Sequence, residues 1–197
     1  MAHSYESLPG VYIHPRAMVE SDDIGEGTRV WANAHVLGGA KIGGGCNLGD
    51  GVFVEGGAVI GDRCTLKNGV QVWDKVTLED EVFLGPNATL TNDLRPRVGF
   101  SKDPADFPPT LIRRGATIGA NATIVCDTTI GIRAFIAAGA VVIRDVPDYA
   151  LMVGNPARQI GWACECGERL PELEDEKTSC GACARSYHQA VGGLAED

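Results

Sequence analysis

Aromatic side chains are scarce in this 197-residue chain: they make up 6% of it, although 44% of its residues are hydrophobic. An interior poor in large rings, in a chain with 26 glycines, suits a solenoid of small turns better than a layered globule. Long apolar runs are also missing. None approaches the ~18 residues of a membrane-crossing helix, so no membrane span is expected. The N-terminal MAHSYESLPG has neither the basic nor the apolar region of a secretory signal, which makes a cytoplasmic setting the expectation. Positive charge is in deficit as well. A net charge of -9 argues against a nucleic-acid partner, because such proteins draw affinity from neutralising phosphates.

What the chain does have is a strict period. Counting in sixes from Ile24 gives Val30, Val36, Ile42, Leu48, Val54, Ile60, Leu66, Val72, Leu78, Leu84 and Leu90. The step resumes at Ile112 and runs through Ile118, Ile124, Ile130 and Ile136 to Val142. Four places after each aliphatic the residue is nearly always small or β-branched, as at Thr28, Ala34, Cys46, Val70, Ala116 and Ala134. Two positions in each hexad therefore point inward, and glycines such as Gly25, Gly43, Gly61, Gly85 and Gly119 follow the aliphatic where tight bends are expected. Three hexads make one triangular coil, and stacked coils bury a continuous aliphatic column. Between Leu90 and Ile112 the gap is 22 residues, which is not a multiple of six, so the segment 91–111 reads as an inserted loop.

The cysteines divide into two groups. Cys46 and Cys64 occupy inward small positions and read as packing, whereas Cys126 lies in a turn without an evident partner. Cys164, Cys166, Cys180 and Cys183 in the tail are spaced C-x-C-x13-C-x2-C. Two close pairs across a hairpin-sized span in a reducing compartment suggest a four-thiolate zinc site with no open position, hence structural. The expected organisation is an all-β solenoid over residues 1–162 and a cysteine-rich, zinc-ribbon-like tail over 163–197.

The hexad pattern resembles the hexapeptide-repeat acyltransferases, and the resemblance implies a left-handed parallel β-helix. VWANAHV, GPNATLTNDLRPR, RRGATIGANATIVC and VGNPARQIGW look like the bacterial N-acetyltransferases that act on nucleotide-linked 3-amino sugars; the likeness covers residues 12 to 162. Two subgroups compete. His35 and ARQIGW resemble the UDP-2-acetamido-3-amino-2,3-dideoxyglucuronate type, which is favoured. TNDLRPR, Glu55 in VFVE and GVQVWD resemble the dTDP-3-amino-3,6-dideoxyhexose type.

Acetyl-CoA as cosubstrate, a homotrimer and a role in cell-surface polysaccharide or O-antigen biosynthesis are what this resemblance implies. The inserted loop would supply the concave wall that a flat solenoid lacks. Related oxygen-acetylating enzymes carry a histidine on such a loop as general base, but TNDLRPR has none. An unprotonated amine needs no such base to attack a thioester. Asn92 resembles the family's positioning residue, with Asp74 and His35 as further catalytic candidates. Arg97, Asp93 and Glu55 are candidates for the acceptor site. Gly119, Ala120, Ala138 and Gly139 would flank the pantetheine arm, and Arg114 and Arg158 would meet phosphates. Two other readings stay open: a non-catalytic β-helix scaffold and a sugar O-acetyltransferase. A carbonic-anhydrase-like site is disfavoured, because His3, His14, His35 and His188 are too dispersed to share a metal.

Overall fold

The computed structural model describes residues 8–100 and 102–197; His3 lies outside the described residues. Nearly every hexad contributes a strand, in most coils only two residues long, followed by a turn, and successive coils stack in parallel; Ile24 makes only an isolated bridge to Ile42. Three faces result. One has nine strands, from Tyr12–Ile13 to Arg158–Trp162; the second has seven, from Met18–Val19 to Val141–Val142; the third has five, from Lys41–Ile42 to Thr129–Ile130. The chain passes from the nine-stranded face to the seven-stranded face, then to the five-stranded face, and begins the next coil.

Both inward positions behave as the period predicts. Val30, Leu48, Leu66, Leu84, Ile118 and Ile136 are fully enclosed, and so are Thr28, Ala40, Cys64, Val70, Ala116 and Ala140. Full burial of one aliphatic side chain contributes roughly 1.5–3 kcal/mol, so the column is the main source of cohesion. Cys46 and Cys64 belong to this column. Their thiols lie 3.1 Å from the carbonyls of Gly61 and Glu79 respectively.

The glycines that follow the aliphatics have a different reason from the one the sequence suggests. Gly25, Gly43, Gly61, Gly85 and Gly119 are absent from the positive-φ residues. They are bare because a Cβ would run into the turn of the next coil; at Gly85 it would come 2.6 Å from the Ala120 nitrogen. Left-handed conformations fall two places later, at Gly45, Gly69 and Gly139 but also at Asn33, Lys75, Asn87 and Asn121. Trp73, although it directly follows the inward Val72, is half-buried against the core, and its Nε1 donates to the Leu90 carbonyl at 2.6 Å.

The insertion leaves at the corner between the seven- and five-stranded faces, contains one short 3-10 turn at Pro104–Asp106, and rejoins at Thr110–Ile112. Register resumes with Val76 opposite Thr110 and Leu78 opposite Ile112. After the last coil, Ala150–Val153 and Arg158–Trp162 form an antiparallel pair. The tail then builds a three-stranded antiparallel sheet from Lys177–Ser179, Ser186–Ala190 and Gly193–Glu196. Its small core of Cys164, Leu170, Cys180, Tyr187 and Leu194 includes Tyr149 of the last coil, and Trp162 packs against both cores. We keep the division after Trp162 as a proposal about separate roles. No described helix is long and apolar enough to cross a membrane.

Candidate active site and tail thiolate cluster

Residues of the loop corner stand above one another because each coil repeats the last. Gln71 pairs with Thr89, so Asp74 and Asn92 hold equivalent places one coil apart, and Glu55 stands one coil before Trp73. The Glu55 carboxylate accepts the Asp74 N–H at 2.8 Å, and Asp74 Oδ1 accepts the Lys75 N–H at 2.8 Å. Lys75 itself is left-handed, with φ of 61°, which sends its side chain toward the loop. Its Nζ donates to the carbonyls of Ala105 at 2.7 Å and Phe107 at 3.0 Å. At the loop's root, Thr91 Oγ1 accepts the N–H of buried Cys126 at 3.0 Å.

Asn92 is half-buried at this root, and its amide has no hydrogen-bond partner among the described residues. Its neighbour Asp93 is committed within the loop: it pairs with Lys102 and accepts the Arg95 N–H at 2.8 Å. Lys102 first, and then that N–H, hold the Asp93 carboxyl below the ordinary carboxylate range. Beyond the staple, Leu94, Arg95, Arg97, Val98 and Phe100 are exposed. His35 lies lower on the seven-stranded face, with Nε2 2.9 Å from Glu20 Oε1 and its ring edge-on to Phe53 at 5.7 Å. Phe53 in turn meets Trp73 at 5.8 Å, so an aromatic stack links His35 to the loop corner.

The coenzyme candidates occupy two other corners. Gly119, Ala120, Ala138 and Gly139 form a strip of nearly bare backbone between the nine- and seven-stranded faces, where the Gly119 backbone leaves no room for a Cβ against Ala138. Arg158 is exposed on the antiparallel strand that follows. Arg114 is exposed between the five- and nine-stranded faces, its N–H held by Glu79 at 2.8 Å. One chain therefore unites Glu55, Asp74, Asn92, Asp93 and Arg97 at the loop corner, and places the coenzyme strip and Arg114 elsewhere. Two cations near the insertion are already paired, Lys102 with Asp93 and Arg113 with Asp148 at 3.1 Å. Sequence reading missed Lys75 as the loop's anchor. Its only local signal is its place directly after Asp74, where a left-handed residue is required.

In the tail, the four sulfurs of Cys164, Cys166, Cys180 and Cys183 all lie within 4.8 Å of one another. Cys164 and Cys183 approach to 3.4 Å, and Cys166 and Cys180 to 3.6 Å. Gly167, directly after Cys166, turns left-handed with φ of 93°, and in the second half of the cluster that turn falls on Ala184, with φ of 62°. Such a cluster is able to hold a metal ion.

A family model for bacterial transferase hexapeptide (six repeats) matches residues 23–56, and one for the hexapeptide repeat of succinyl-transferase matches residues 109–144. The first match precedes the insertion, and the second begins at its last residues. The dTDP-3-amino-3,6-dideoxy-alpha-D-galactopyranose 3-N-acetyltransferase of Aneurinibacillus thermoaerophilus is 46% identical over 181 residues, covering 92% of this chain and 92% of that protein. A hexapeptide-repeat containing acetyltransferase of Vibrio cholerae O1 biovar eltor, solved with acetyl coenzyme A, is 26% identical with a TM-score of 0.50, covering 59% of this chain and 67% of that one. The UDP-N-acetylglucosamine acyltransferase of Campylobacter jejuni, 16% identical with a TM-score of 0.50 over 78% of this chain and 73% of that one, shares the fold. The chain belongs to the hexapeptide-repeat acetyltransferases and is an enzyme of the N-acetyltransferase class.

Proposed function

We propose that the enzyme transfers acetyl from acetyl-CoA to the 3-amino group of a nucleotide-linked amino sugar, of the dTDP-3-amino-3,6-dideoxyhexose type. The observation that carries this reading is the 46% identity, over nearly the whole of both chains, to an enzyme named for that reaction. The UDP-glucuronate type, favoured on sequence, rested on His35 and the ARQIGW ending. In the structure His35 is engaged by Glu20 and Phe53, and Arg158–Trp162 is a pairing strand. The features pointing to the dTDP type, TNDLRPR, Glu55 and GVQVWD, converge at the loop corner, which supports the change.

In this reading the unprotonated amine attacks the thioester carbonyl directly. A tetrahedral oxyanion forms and collapses, a C–N bond replaces the C–S bond, the coenzyme leaves as thiolate, and the nitrogen gives up its proton. Asn92 orients the amine or donates to the oxyanion, contributing as other positioned polar donors do. Asp74 holds the ammonium or receives the proton, Arg97 meets the pyrophosphate, Glu55 and Asp93 shape the corner, and His35 belongs to the acceptor wall. Gly119, Ala120, Ala138 and Gly139 flank the pantetheine arm while Arg114 and Arg158 meet phosphates. Because these groups occupy different corners of one chain, we infer a homotrimer in which neighbouring copies bring them together. The setting is cytoplasmic, and the tail thiolates take no part in the chemistry.

Acceptor competition tests the proposal. Release of coenzyme A thiol would be followed with dTDP-3-amino-3,6-dideoxygalactose, with the UDP-linked 3-amino glucuronate, and with the 3-hydroxy counterpart of the first. Turnover with the dTDP amino sugar should lead. Faster transfer to the UDP sugar would restore the other subgroup, and transfer to the hydroxyl would overturn the amine assignment. A monomer by light scattering would remove the shared site.

A further inference from the structure

We propose that Cys164, Cys166, Cys180 and Cys183 bind one zinc ion as four thiolates, and that the metal closes a knuckle which caps the end of the solenoid. The geometry suits a tetrahedral ion. With Zn–S bonds of ~2.3 Å the ligand sulfurs of a regular tetrahedron stand about 3.8 Å apart, and these sulfurs lie within 4.8 Å of one another with close pairs at 3.4 and 3.6 Å. All four positions are filled by sulfur, so no site remains for water or substrate. A four-sulfur tetrahedron selects zinc or a single iron among first-row metals.

The surroundings are arranged for thiolates. Tyr187, fully buried, sets its hydroxyl 3.1 Å from the Cys164 sulfur while accepting the Glu165 N–H at 3.1 Å. Hydrogen bonds of this kind orient ligands and spread their charge.

The same residues carry the knuckle to the solenoid. Glu165, between the first two cysteines, pairs with Arg133 at 2.5 Å, and Arg133 reaches Glu81 at 2.8 Å. The Tyr187 ring packs on Tyr149 at 5.2 Å, and the Asp148 N–H donates to Gly192 at 2.9 Å. A repeat array needs such a cover where stacking stops. The tail's own apolar residues, chiefly Leu170, Tyr187 and Leu194, make a core too small to fold without ligation.

The full-length protein, purified under reducing conditions without chelator, would be measured by elemental analysis, and about one zinc per chain is expected. Cobalt(II) added to metal-stripped protein should give the visible absorption of a tetrahedral thiolate site. Cys180→Ser should lose the metal and admit protease between residues 165 and 185. To separate loss of the metal from loss of the thiol alone, Cys180→His, which keeps a ligand, should retain both metal and resistance. Acetyl transfer should persist in either variant. Metal-free protein with a protease-resistant tail, iron in place of zinc, or disulfides joining the close pairs in the reduced protein would each overturn the assignment; loss of transfer in step with the metal would overturn the separate cap.

Discussion

Lys75→Met removes the anchor of the inserted loop while leaving the backbone and most of the side-chain volume in place. In the parent, one ammonium donates to the Ala105 and Phe107 carbonyls at 2.7 and 3.0 Å. Each such bond contributes about 1 kcal/mol where water competes for the groups. Together they favour the closed loop by about 2 kcal/mol, a population factor of roughly 30 at ~1.4 kcal/mol per decade. The staple of Asp93 with Lys102 and the bond from Cys126 to Thr91 survive the change, so the loop loosens without detaching. Steady-state kinetics by thiol release should then show kcat/KM for the amino sugar lower by roughly 5- to 30-fold, mostly through KM. Melting should barely move, since the loop lies outside the aliphatic column. Limited proteolysis between residues 92 and 109 should quicken in parallel. Parent-like kinetics together with parent-like cleavage would refute the reasoning, because they would mean that Lys75 does not hold the loop or that the loop does not meet the acceptor.

Asn92→Ala should lower kcat by roughly ten- to a thousand-fold with an unchanged circular dichroism spectrum; unchanged turnover would reduce the loop to a cover. The Asp93 carboxyl titrates lower in the folded loop than free, so the staple's stabilisation is complete above the free value of about 4 and disappears as pH falls through the folded value. Amide exchange of residues 93–102 should rise in that acid range, and Asp93→Asn should remove the dependence. Gly119→Ala drives a methyl into the Ala138 backbone and should cost about 1–3 kcal/mol in denaturant unfolding. Gly139→Asn should stay within about 0.5 kcal/mol of the parent, because Asn121 already adopts the same left-handed turn one coil earlier.

The solenoid is legible in the sequence because its rule is local: a position six residues on faces the same interior, so Ile24 to Val142 can be read by counting alone. The insertion shows itself for the same reason, as a break in the count. What counting does not supply is anything fixed by contact between coils. Gly85 and Gly119 look like flexible turn residues in one dimension and prove to be points of close approach in three. Trp73 looks exposed until the Leu90 carbonyl is seen to take its indole N–H. Of the site, Asp74 and Asn92 are recoverable from their spacing of one coil, whereas Lys75 and the pairing of Asp93 with Lys102 depend on the loop's path, which no period encodes. Arg114 joins the coenzyme list by resemblance, and only the order of the faces assigns it to a different corner from Gly119.

Register returns after the loop as though nothing had intervened, with Val76 facing Thr110. A coil touches only the coils above and below it, so the excursion is a side branch on a periodic lattice and leaves the translation rule intact. Doubling the length of a flexible branch adds only ~0.6 kcal/mol of closure entropy, a disturbance that stays at the single corner where it enters. Loop length and scaffold strength are therefore separable variables in this protein: segments of other lengths spliced between Leu90 and Thr110 should leave the lattice beyond to resume its count.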